Sequence, residues 1–320
     1  MIKNKPLLAF LDKNSRAKVT KISSAIKQNA TTIHYNIKKL ADEGKISFYP
    51  IINLPKLGLI SFRIYLSFKN TNFEQEKEIE SFLKNNDQVT VLAKCLSNYD
   101  LMISVVVKSI YEFQKFWKSF KEKYAKYIQK ETISIFTEVT KYTRGYLNSK
   151  KESFRLKNSE VKELTELQEK ILFLLSKNAR SSSVQIAGKL DAEARTVALN
   201  IKNLEKKNII LGYGLNIDLQ LFDYQYYKIN VKLDDYENYN KLLEIAENHP
   251  NVVFYNKTIG FFDFEIDIEV ENQKMLEKIL FLIKESAKIK EIEIISFKEY
   301  LKFDVLPKLK RIKIIKEKMK

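Results

Sequence analysis

The chain repeats itself, and an internal repeat restricts the available folds more than any composition does. Residues from Leu7 read LLAFLDKNSRAKVTKISSAIKQNATTIHYNIKKLADEGKI, and residues from Ile171 read ILFLLSKNARSSSVQIAGKLDAEARTVALNIKNLEKKNII. At constant spacing Asn14 falls on Asn178, Arg16 on Arg180, Ile22 on Ile186 and Thr32 on Thr196. Asn36, Ile37, Leu40 and Ile46 likewise fall on Asn200, Ile201, Leu204 and Ile210. A 320-residue chain with this pattern is a tandem of two similar units.

Each copy opens with the apolar period of three short helices. In the first, Leu7, Leu8 and Leu11 point inward from one helix, Ile22 and Ile26 from the next, and Ile33, Ile37 and Leu40 from the third. The gap at Gln28-Asn29 is short enough for a tight turn, Asn29 is a good N-cap, and Gly44 suits a left-handed C-cap. The second copy carries Glu193 and Asn208 at those two places. A short extended stretch, Ile46–Ile52, supplies a wing.

The apolar period then changes to two. Phe62, Ile64, Leu66 and Phe68 alternate with Arg63, Tyr65 and Ser67, and Tyr227, Ile229, Val231 and Leu233 alternate with Lys228, Asn230 and Lys232. The order strand, helix, strand, strand, helix, strand follows in both halves, which is the ferredoxin-like split arrangement. The expected fold class is therefore α+β, a tandem of a winged helix-turn-helix followed by a βαββαβ ferredoxin-like domain. The expected boundaries are 1–57 and 58–147 for the first unit, 148–164 for a polar linker, 165–222 and 223–306 for the second unit, and 307–320 for a basic tail.

The motifs in these units resemble those of the leucine-responsive regulatory protein/AsnC (Lrp/AsnC) family of transcriptional regulators. The residues that carry the resemblance are Asn178-Ala179-Arg180, Thr196-Val197, Leu204-Glu205 and Gly212-Tyr213 through Asp218. A G-x-x-D turn follows as Gly260-Phe261-Phe262-Asp263, where the first copy departs with Ser97-Asn98-Tyr99-Asp100. The resemblance covers nearly the whole chain, twice. It implies that the sandwich is a RAM (AsnC-type) effector domain, with Gly260, Asp263 and more weakly Asp100 as candidate binding residues for a small effector such as an amino acid. It also implies pairing of units, here as an intramolecular pseudo-dimer or a homo-oligomer.

Double-stranded DNA is the expected partner. With Ile33 and Ile37 turned inward, the third helix offers Thr31, Thr32, His34, Tyr35, Lys38 and Lys39 to a major groove, and the second copy offers Arg195, Thr196 and Lys202. The whole chain has net charge +16. That surplus is uneven. From Met1 to Leu57 eleven Lys/Arg face three acids, but from Glu160 to Leu221 nine face eight. Counterion release scales with phosphate contacts, so the first reader is expected to bind harder.

Other classes fit less well. Cys95 is the single cysteine and the histidines are His34 and His249, which gives no metal centre by motif and no expected cofactor. No transmembrane run or signal-peptide pattern is present, so the expected setting is cytoplasmic. No catalytic residues are expected. Sirohaem decarboxylases resemble the regulators in both domains, but their proton transfer calls for histidine or arginine clustered in the sandwich. The remaining alternative is an architectural protein coating DNA by charge. The row Asp263, Glu265, Asp267 and Glu269 can be read as a cation site, but Lys228 and Lys232 on the neighbouring strand make cross-strand ion pairs the better expectation.

Overall fold

A computed structural model describes residues 4–147, 150–157 and 159–308. Helices α1 (Lys5–Lys13), α2 (Val19–Ile26) and α3 (Ala30–Asp42) lead into strand β1 (Ile46–Ile52). Asn29 caps α3 by accepting the Thr31 N–H at 2.8 Å, and Gly44 takes φ 70°, a conformation that costs glycine nothing. The second unit repeats the arrangement with α6 (Glu166–Lys177), α7 (Ser183–Leu190), α8 (Ala194–Lys206) and β7 (Ile210–Ile217). There Glu193 makes no side-chain cap, and Asn208 takes the left-handed position at φ 53°.

The two winged helices do not stand apart. Strand β1 pairs antiparallel with β7, from Ile46 opposite Ile217 to Ile51 opposite Gly212. Leu7, Leu11, Ile22 and Ile33 share one core with Ile171, Leu175, Ile186 and Val197. Matching surfaces therefore meet about an approximate twofold axis through the middle of the wing pair, as in an isologous dimer.

The remaining strands form one closed sheet. Strands β2 (Ile60–Phe68), β3 (Val89–Cys95), β4 (Leu101–Val107) and β5 (Ile128–Tyr142) come from the first unit. Strands β8 (Gln225–Leu233), β9 (Val252–Gly260), β10 (Phe264–Val270) and β11 (Ile289–Phe303) come from the second. Their order is β2-β4-β3-β11-β8-β10-β9-β5, and β5 also pairs with β2, which closes the ring. The two 15-residue strands make closure possible. Each pairs with its own unit along one part and with the other unit along the rest: β5 with β2 and β9, β11 with β8 and β3.

Helices α4 (Phe73–Asn85) and α5 (Ile110–Tyr124) cover the outside of the first wall, burying Ile79, Leu83, Phe116 and Phe120 against Ile64, Leu66 and Ile103. Helices α9 (Tyr239–Asn248) and α10 (Gln273–Ser286) do the same for the second wall, over Ile229, Val231, Ile266 and Ile268. The other face of every strand, which carries the polar half of each alternation, points into the barrel.

One expectation needs correction. The span expected as a linker, 148–164, is not wholly irregular: Ser153–Lys157 forms a strand, β6, that extends the sheet beside β5. The edge of β5 left bare there recruits it, since unpaired backbone groups favour strand addition. The expected basic tail lies outside the described residues from position 309 onward.

Candidate nucleic-acid interface and its link to the barrel

Helix α3 buries Ile33 and Ile37 and turns the opposite face to solvent. Thr31, Thr32, His34, Tyr35, Lys38 and Lys39 are all exposed, Tyr35 at 61%. Among the described residues no hydrogen bond or ion pair engages the side chains of His34, Tyr35 or Lys38. Helix α8 buries Val197, Ile201 and Leu204. It exposes Arg195 and Lys202 and leaves Thr196 half-buried, with Leu199 59% exposed between them. The structure thus brings both candidate sets outward on the second helix of a helix-turn-helix, the element that enters the major groove in such domains.

The arginines of the repeated N-x-R motif have a different task. Arg16 donates to the carbonyls of Ala179 and Ser181, and Arg180 donates to those of Ser15 (2.5 Å) and Ala17 (3.2 Å). The exchange is reciprocal across the approximate twofold axis and staples one reader to the other. Sequence comparison showed the motif twice without showing that each copy reaches across to its counterpart.

A second clasp joins the readers to the barrel, and it exists on one side only. The Arg144 guanidinium donates to Asp12 of α1 (2.6 Å), to Glu269 of β10 (2.7 and 2.9 Å) and to the Leu215 carbonyl of β7 (2.9 Å). Its backbone N–H also reaches Asp12, and the Tyr146 hydroxyl donates to Glu269 at 2.5 Å. All three charged groups are buried. Burial opposes the Arg144 charge, but Glu269 and Asp12 outweigh it and hold its pKa above that of a free guanidinium. Sequence reasoning missed this triad because its members are separated by more than a hundred residues.

The barrel lumen bears out the expected cross-strand pairing. Lys228 lies 2.9 Å from Glu265 and 3.0 Å from Asp267, and Lys232 lies 3.2 Å from Asp263. Among the described residues no group of three or more metal-ligating side chains is poised for a cation.

The G-x-x-D residues are placed as follows. Asp263 accepts the Leu233 N–H (2.9 Å), Lys232 and the Tyr236 hydroxyl (2.5 Å), and Asp100 accepts the Phe68 N–H (2.6 Å). Each carboxylate ties down the end of a neighbouring strand. Gly260 is required by a close approach rather than by its backbone angle. A Cβ there would stand 2.7 Å from the Ile133 carbonyl and 2.9 Å from the Ser134 Cα, where β9 meets β5 to close the barrel.

Residues 164–210 match the family model described as "Winged helix-turn-helix DNA-binding". An uncharacterised HTH-type transcriptional regulator of Pyrococcus furiosus is 24% identical over 138 residues, covering 42% of this chain and 93% of that protein. Among solved structures, siroheme decarboxylase NirDL is similar across 99% of this chain and 98% of its own, at TM-score 0.64 and 12% identity, which is a likeness of fold. AsnC of E. coli aligns with 43% of this chain and 95% of its own, at TM-score 0.38 and 20% identity. No helix among the described residues is long and apolar enough to cross a membrane. In architecture the chain is a tandem of two similar units, each a winged helix-turn-helix followed by a ferredoxin-like domain.

Proposed function

We propose that this chain is a DNA-binding transcriptional regulator that functions as an intramolecular pseudo-dimer, with a small effector held in its α/β half. The observation that carries the reading is the outward presentation of α3 and α8, with His34, Tyr35 and Lys38 exposed and unengaged by any described residue. Thr31, Thr32, His34 and Tyr35 are placed to contact base edges, and Lys38 and Lys39 to contact phosphates. Arg195, Thr196 and Lys202 do the same for the second half-site. In this reading the chain binds; it does not catalyse.

Fluorescence anisotropy with a duplex from the regulator's own upstream region, against random duplex at fixed salt, tests the proposal. The regulator reading requires a specific complex at least about a thousandfold tighter than the random one. Equal affinity for both would instead favour an architectural protein coating DNA by charge.

A second reading rests on the full-length likeness to siroheme decarboxylase NirDL. In that reading the barrel would hold a tetrapyrrole. Neither histidine belongs to the lumen: His34 is on the exposed face of α3, and His249 follows α9 on the outside of the barrel. An absorption spectrum of the purified protein with added siroheme separates the two readings, since a bound tetrapyrrole shifts its Soret band.

A further inference from the structure

Between the two walls of the barrel lies a cavity of about 980 Å³ that runs up to the bases of both wing strands at Ile46 and Asn216. Its contents are unlike an ordinary core. Arg63, on the inward face of β2, reaches into it. Its Nη1 has the Met102 sulfur at 3.2 Å, its guanidinium lies 5.1 Å from the Phe136 ring centre, and its Nε has no hydrogen-bond partner among the described residues. Arg63 forms no ion pair among the described residues. The acids that act on its charge, Asp267 and Glu265, are engaged by Lys228, and Asp267 also by Tyr226; Glu269 is held by Arg144 and Tyr146. On the facing wall the Asn256 amide nitrogen, on a side chain only 2% exposed, is also without a partner. From there the lining is aromatic: Tyr226 and Phe297 have ring centres 5.7 Å apart, and Phe297 and Tyr300 5.6 Å. Tyr300 is 45% exposed, and the surface it exposes lines this cavity.

A guanidinium with no direct ion pair, resting on a ring in a cavity between the two walls, is a site for a carboxylate, which it can bind through two parallel N–H donors. We infer that the lumen is the effector site, and that it takes a small organic carboxylate with a flat apolar body. The carboxylate sits on Arg63 and Asn256, and the body lies against Phe136, Tyr226 and Tyr300. This deepens the effector half of the proposed function and rests on it, moving the binding site from the G-x-x-D turn to the space between the units. The ligand would touch both halves of the chain. Glu269 and Arg144, which line the same cavity, connect it to the α1 residue Asp12.

The test is isothermal titration of the full chain, without DNA, using 3-phenylpropionate and phenethylamine, which share a ring and differ in the charged group. The expected result is saturable binding of 3-phenylpropionate and none of phenethylamine, with the affinity for 3-phenylpropionate falling at least tenfold in Arg63→Met. Asn256→Asp, which adds a like charge to the cavity and leaves Arg63 intact, should also weaken binding at least tenfold; it serves as the deciding variant if Arg63→Met does not fold. Three results would overturn the inference: no binding of the carboxylate, equal binding of both probes, or unchanged affinity in the folded variant. Because no DNA is present, any of these leaves the regulator reading standing, and loss of DNA recognition leaves this one standing.

Discussion

The two readers share one core and one wing sheet, yet they differ in charge and in how they are fixed to the barrel. The first carries a net charge of +8 across Met1–Leu57 and the second +1 across Glu160–Leu221. The first is locked to the barrel by the buried Asp12–Arg144–Glu269 triad. Ser176 of the second unit stands where the first has Asp12, Val106 of the first stands where the second has Glu269, and Val305 follows β11 where Arg144 follows β5. There Val106 and Leu306 join the apolar core, and Lys308 pairs with Asp87 at the surface. Duplication supplied two equal parts, and divergence has made one the stronger electrostatic anchor and the other the more apolar joint.

The largest test of that difference is the triad. Removing one member of a buried ion pair strands its partners, so Arg144→Met should lower unfolding stability by about 3–5 kcal/mol. Lys308→Met, which removes the surface pair with Asp87 just past the end of β11, should cost less than about 1 kcal/mol, as surface pairs do. Chemical denaturation of the two variants measures both, and equal losses would erase the structural asymmetry. DNA binding comes next. Changing Lys38 and Lys39 to Glu should lower the slope of log affinity against log salt by about 2, corresponding to two phosphate contacts. Changing Lys202 and Lys206 to Glu should lower it by less, and equal slopes would mean that both readers grip alike.

Glycines sharpen the comparison on a smaller scale. Gly260→Ala should destabilise by roughly 1–3 kcal/mol, because the added methyl meets backbone where the two units close the barrel. Gly188→Ala, within α7 of the second reader and facing open space, should stabilise by up to about 1 kcal/mol. Thermal melts of the pair give opposite signs if the packing is as described.

The last test is a pH dependence at Lys151, which donates to the Ala246 and His249 carbonyls at the end of α9. Burial pushes its pKa down to about 7 from 10.5. Between those values the unfolded chain holds the extra proton, so stability should rise as pH increases through this window. Lys151→Met should flatten the rise, and an unchanged profile would remove Lys151 as its source.

Much of this molecule was legible in its residues because the repeat fixes the element order and the 3.6-residue period fixes which face of α3 and α8 is buried. Lys228 and Lys232 opposite the acidic row were enough to anticipate ion pairs. The barrel was not legible. Polar residues alternating along a strand ordinarily mean a face in water, and that assumption fails for Arg63, Tyr65 and Asn230, whose polar face is covered by the other unit. Nor does anything local to Arg144 mark its contacts. The length of β5 and β11 was the available signal, since strands of 15 residues exceed what a four-stranded sheet of this size needs.

The reciprocal wing pairing has a consequence for the DNA. A dimer of identical subunits reads the same from either end, so its site has no direction. Here the paired readers expose different side chains, His34 and Tyr35 on one and Ala198 and Leu199 on the other. A complex built this way has a front and a back. In the proposed regulator reading, such a complex would sit on an asymmetric site in a single orientation.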